Sequence, residues 1–252
     1  MSASSSSLQT PKHSLFRRAG FALVAAVSIV AIYFLASYVG AGLLRILAIS
    51  GVPIGSMSEN VLAFVYNALV WLIMLVLLIV PIQKWRLIPK LKQELGVQRL
   101  LSWSDIGIAL LAFIPYLILA AVFTGLATSF LPGYNAGQTQ DVGFSELSSR
   151  FELVLAFLAL VIAAPIIEEV IFRGFLFARL KKHLGVIVSV IGTSLVFAIL
   201  HQQLNVGIDV FALSIMLCIL RIVTGSIWAG VILHMTKNGL AFFILFVYPM
   251  IQ

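Results

Sequence analysis

Glu168 and Glu169 stand side by side in the apolar run Ala163-Ala-Pro-Ile-Ile-Glu-Glu-Val-Ile-Phe-Arg-Gly174, with Arg173 one helical turn further on. Ionisable groups in so apolar a stretch are costly to bury and mark a functional site by default. Two more polar pairs sit in apolar surroundings, Phe197-Ala-Ile-Leu-His201 and His234-Met-Thr-Lys-Asn238. On helices, Glu169 shares a face with Arg173, Phe197 with His201 and His234 with Asn238, because each pair is four positions apart. Glu168 is rotated by about 100° from its neighbour. The two carboxylates therefore have different work: Glu169 and Arg173 can neutralise one another, and Glu168 is left to face other partners. Pro165 removes a helix hydrogen bond and can loosen the backbone just before the acids, one way to admit water.

The chemistry open to these groups is peptide hydrolysis. A buried glutamate can act as general base toward water, with a histidine sharing the proton. His234 and the Asn238 carboxamide are suitable donors to the oxyanion. The same glutamate with two histidines could instead bind Zn²⁺ and leave a position for water, although the compact His-Glu-x-x-His motif is absent. Taken singly, the histidines and the asparagine also read as polar glue between helices.

The elements that must position these groups are membrane spans. The chain has 252 residues, 62% of them hydrophobic and 10% charged, with a mean hydropathy of +1.13, which excludes a soluble domain of this length. Several runs reach the roughly 20 apolar residues that cross a bilayer as helix. The alternation of a transmembrane barrel is missing. The expectation is an all-α polytopic bundle of seven spans, near Ala19–Leu47, Val61–Ile82, Ile106–Phe130, Leu153–Leu176, Val186–His201, Ile208–Ile222 and Ile227–Tyr248, the fifth and sixth being short. Residues 1–18 are expected as a disordered tail, 19–150 as N-terminal transmembrane helices and 151–252 as the catalytic core. The net charge of +7 is spread between spans, which argues against a nucleic-acid partner. Cys218 is the single cysteine, so no internal disulfide forms and a packed side chain is its expected role.

Basic residues cluster before span one (Lys12, Arg17, Arg18), after span two (Lys84, Arg86, Lys90, Lys92, Arg99) and after span four (Arg179, Lys181, Lys182). All three segments fall on one side, which the positive-inside rule makes the cytoplasm, with the N-terminus inside. An odd span count then places Gln252 outside. Glu59, Asp141, Glu146 and Asp209 fall on or near the opposite face, where Pro132 to Glu152 forms a connector or lid. Counted from the anchors Lys181, Gly185 and Gly225, Glu168, His201 and His234 lie roughly 20, 24 and 14 Å into the membrane. Three helices thus bring a carboxylate and two imidazoles into one slab, and the active site is expected inside the bilayer.

Together and in order, the three segments resemble the CAAX protease and bacteriocin-processing (CPBP, Abi) family of intramembrane endopeptidases. The shared pattern is Glu-Glu-x-x-x-Arg, Phe-x-x-x-His and His-x-x-x-Asn, here Glu168 to Arg173, Phe197 to His201 and His234 to Asn238. The likeness covers roughly residues 151–240. It implies a protease in which Glu168 and His201 activate the hydrolytic water and His234 and Asn238 support the oxyanion, with Glu169, Arg173 and Phe197 structural or supporting. It implies no metal, a zinc-dependent protease being the alternative, and a membrane-anchored protein or peptide as substrate in the cell membrane. The family includes the type II prenyl endopeptidases and proteins implicated in bacteriocin immunity or scaffolding, so a silent scaffold is a further alternative. A small transporter with a buried carboxylate is another, against which the missing internal repeat argues. One departure is Lys237, where the family usually has a small or apolar residue; its ammonium can snorkel or alter the charge near His234.

Overall fold

The computed structural model describes residues 12–83 and 88–250, and among these every regular element is helical. In chain order they are α1 (Lys12–Ile49), α2 (Glu59–Gln83), α3 (Ile88–Leu95) and α4 (Trp103–Phe130). The continuous α5 (Arg150–Leu184) is followed by α6 (Val186–Ile199), α7 (Leu204–Thr224) and α8 (Trp228–Met250). Six of these, all but α3 and α6, are long and apolar enough to cross a membrane.

The polytopic helical bundle read from the sequence is thus present, with four differences in its parts. The run Ile208–Ile222, expected as short, belongs to a 21-residue helix, because Leu204 to Gly207 continue it. α6, expected as the fifth of seven spans, has 14 residues and is not among the six helices of membrane length; it leads from the basic turn at Gly185 to the segment where Gln203 accepts the Asp141 amide hydrogen at 2.9 Å. A short amphipathic helix, α3, follows span two. Helix α1 begins at Lys12, inside the stretch expected as tail. The Ser-rich residues 1–11, the basic pair Lys84 and Arg86, and Gln252 lie outside the described residues.

Packing follows the rules for helices in lipid. On α4 the buried positions are mostly small, Ala109, Ala112, Ala120 and Ala127 with Tyr116, whereas Leu111, Ile114 and Ile118 point outward. Small residues let helix backbones approach closely where no hydrophobic force separates helix from lipid. That face meets Leu213 and Leu217 of α7 and Leu233 of α8. Trp103 and Phe130 are exposed at the two ends of α4, where aromatic rings suit the membrane interface.

The two ends of the bundle are tied differently. At the basic end, Ser226 Oγ donates to the Gly96 carbonyl at 3.0 Å and Trp228 Nε1 to the Arg99 carbonyl at 2.7 Å. Arg99 in turn grips Asp105, which caps α4. These bonds fix where α8 starts and so the height of the groups it carries. At the other end Glu152 gathers the 132–149 connector: its carboxylate accepts from Ser58, from Asn60 Nδ2 at 3.2 Å, and from the Ser148 amide at 2.8 Å. A buried carboxylate with several donors is a satisfied one, and this cluster holds the connector against α2 and α5.

Candidate functional site

Helix α5 is not uniformly α-helical. Glu168 and Glu169 end a short α segment, Ala164–Glu169, lying between two π-helical stretches, Leu158–Ala163 and Val170–Leu176. In π register each amide reaches back five residues, as Ala164 does to the Ala159 carbonyl. The next amide in that register belongs to Pro165, which has no N–H. The Leu160 carbonyl is left without a helical donor and accepts from Asn238 Nδ2 at 2.9 Å. The proline expected to loosen the backbone thereby creates an acceptor that anchors α8. π-bulges of this kind are frequent at functional sites.

Glu169 and Arg173 form the expected pair, Oε1 to Nη1 at 2.9 Å, with both side chains fully buried. The sequence did not show that the same Glu169 oxygen also accepts from His234 Nδ1 at 3.2 Å. On its other nitrogen, His234 Nε2 lies 3.7 Å from Glu168 Oε2. His234 is therefore held between the two glutamates, one at each ring nitrogen, and Glu169 fixes its ring. α8 can come this close because of Gly230, one turn before His234: a Cβ there would stand 2.9 Å from Glu169 Oε2. Gly230 thus serves a close contact between helices of the same chain.

His201 lies just beyond the last turn of α6 and not within a helix. Its Nδ1 sits 2.8 Å from the Phe197 carbonyl, one of the acceptors left open at a helix C-terminus. A carbonyl only accepts, so Nδ1 carries the hydrogen and Nε2 is left as the free nitrogen. Phe197 is the hub: its ring lies 4.8 Å from the His201 ring, 5.9 Å from the His234 ring, and 4.6 Å from the Arg173 guanidinium. The guanidinium over the ring face adds a cation–π attraction to the ion pair.

Glu168, His201, His234 and Asn238 line one cavity of about 280 Å³. The four residues singled out in the sequence are brought together; Glu169 and Arg173 lie behind them, outside the wall. Glu168 makes no hydrogen bond among the described residues, and its side chain retains 24% exposure. Its nearest imidazole contact is His234, whereas the sequence reading paired it with His201. The cavity also recruits Tyr33 from α1, Asn67 and Trp71 from α2, and Gln140 and Asp141 from the connector. Sequence reasoning missed these. Asn67, a lone carboxamide in an apolar span, was the one with a readable signal. Lys237 pairs with Asp209 at 3.1 Å, so its charge is met from α7 and does not snorkel.

Among the described residues, no three His, Cys, Asp or Glu side chains are grouped as a metal ion would need. Both histidines use Nδ1 on protein acceptors, His201 on the Phe197 carbonyl and His234 on Glu169, which leaves Nε2 of each toward the cavity.

The sequence model of one protein family, described as "Rce1-like: Type II CAAX prenyl endopeptidase Rce1-like", matches residues 150–240. No curated protein and no solved structure matches the chain.

Proposed function

With residues 150–240 an Rce1-like, CAAX-type protease segment, we propose that this membrane protein is an intramembrane endopeptidase that cuts a membrane-associated protein or peptide with a water activated by Glu168 and His201. The observation that carries this reading is the meeting of Glu168, His201, His234 and Asn238 on one cavity inside a bundle of membrane-length helices. Glu168 is the base: its carboxylate faces the cavity and has no hydrogen bond committed elsewhere among the described residues. His201 offers only Nε2 to the same cavity, and an acceptor nitrogen there can share the water's proton.

The tetrahedral oxyanion needs donors. Asn238 uses one amide hydrogen on Leu160 and keeps the other. His234 already donates from Nδ1 to Glu169, so its Nε2 serves as a donor only when it too carries a hydrogen. Donors fixed before the reaction are what make such a hole effective. In this reading the water is activated by Glu168 and His201 alone, and no step runs through a metal.

By the positive-inside rule the Arg99 and Lys181 end is cytoplasmic and the connector end lies outside. The test is cleavage of membrane-tethered peptides by purified protein with a Glu168→Gln control. Cleavage lost in the variant is expected. Cleavage that survives it, or none by the parent, overturns the reading in favour of a different base or a silent scaffold.

A further inference from the structure

We propose that Lys237 sets the substrate preference of this cavity by binding a carboxylate of the peptide within three residues of the cut, an inference that rests on the protease reading above. Among the described residues lining the cavity, Lys237 is the one lysine or arginine, and the fixed charges it faces there are those of Glu168 and Asp141. Its side chain is 11% exposed, and Asp209 Oδ2, 3.1 Å away, is its ion-pair partner. Asp209 is itself held by the Tyr116 hydroxyl, which donates to Oδ1 at 2.7 Å.

An ammonium has three hydrogens in three directions. Asp209 keeps the cation in place at the wall as its ion-pair partner, and no described acceptor other than Asp209 takes a hydrogen bond from the nitrogen, so donors remain for a ligand. A bare cation this deep would be costly to bury, and a pair tied from α4 through α7 to α8 makes the burial tolerable. It also poises the charge for a second acceptor. That acceptor cannot be a cation, and an apolar side chain would strand the remaining donors; a carboxylate satisfies both charge and hydrogen bonds.

Position sets the distance to the chemistry. Lys237 adjoins Asn238 and follows His234 by three positions on α8, which places their Cβ atoms about 5–6 Å apart. An extended peptide advances about 3.3–3.6 Å per residue. A carboxylate on Lys237 therefore belongs to a residue one to three places from the peptide bond held between Glu168 and the oxyanion donors. Glu168 repels the same carboxylate, so the charge pattern also sets which way the peptide lies.

The test uses the full chain in lipid vesicles with a randomised library of lipid-anchored peptides, cut sites being read by mass spectrometry. The parent should favour Asp, Glu or a free C-terminal carboxylate at one position within three residues of the cut by about tenfold, the scale of one charge-assisted hydrogen bond. The gain should appear in KM, with kcat little changed. Lys237→Met should erase the preference and Lys237→Arg should keep it. The exchanged pair Lys237→Asp with Asp209→Lys retains the tie between helices, so it should melt like the parent yet lose the acid preference. Cutting with no acid preference, or a preference that survives Lys237→Met or the exchanged pair, overturns the assignment while leaving the protease intact. No cutting of any library peptide by the parent overturns both.

Discussion

Replacing Glu169 by alanine should do two separable kinds of damage. Glu169 Oε1 is the acceptor both for Arg173, at 2.9 Å, and for His234 Nδ1, at 3.2 Å. Arg173 has no exposed surface, so removing its partner leaves an uncompensated guanidinium at a cost of about 3–5 kcal/mol. The His234 bond contributes to the same network and does not add as an independent quantity. Its loss frees the ring to turn, and carboxylates that orient imidazoles in other sites are worth about 10–100-fold in activity. Glu169→Ala should therefore lose about 3–5 kcal/mol in denaturant unfolding in mixed micelles. It should also lose about 10–100-fold in cleavage per folded molecule. A double-mutant cycle with Arg173→Met separates the effects: the second change should recover part of the stability, because no charge is then stranded, and none of the activity. Unfolding within about 1 kcal/mol of the parent would refute the buried-pair reasoning, and full activity per folded molecule would refute the positioning of His234.

Glu168→Gln should behave in the opposite way, with stability within about 1 kcal/mol, because Glu168 makes no hydrogen bond among the described residues. Activity should fall by about 10²–10⁴, the range for a general base; a parent-like rate in the peptide assay removes Glu168 from the chemistry. Asn238→Ala orphans the Leu160 carbonyl and should cost about 1–3 kcal/mol, with a drop in kcat of about 10²–10³ if it is an oxyanion donor, so a loss of stability alone makes it only an anchor. Gly230→Ala puts a Cβ 2.9 Å from Glu169 Oε2 and should cost about 1–3 kcal/mol as overpacking, together with activity; a neutral result in both assays means that α8 and α5 are less tightly apposed than described. Active protein should carry no stoichiometric zinc by elemental analysis. Zinc whose chelation abolishes cleavage and whose return restores it would overturn the metal-free mechanism.

Some of the site was legible because its signal is local. Glu168, Glu169, Arg173, His201, His234 and Asn238 stand out as polar groups in apolar runs, and four-residue spacing gives a shared face wherever the chain is helical. Apolar length likewise gave most of the spans, since a bilayer demands about 20 residues of helix, although capping and turn residues blurred the ends enough to shorten α7 and to hide α3. The presence of polar groups in apolar runs and the family pattern were thus legible in the sequence. Which of these groups touch was decided by tertiary structure. The sequence pairs Glu168 with His201, yet the ring nearest Glu168 belongs to His234, because Gly230 lets α8 press against Glu169. Nothing in the spacing of Asn238 announces Leu160 as its partner; that bond exists because a π turn and Pro165 together leave one carbonyl without a donor. Tyr33, Asn67, Trp71 and Asp141 reach the cavity from elements more than 20 residues distant in sequence from Glu168. Local periodicity carries no information about such contacts, which arise only when helices choose their neighbours.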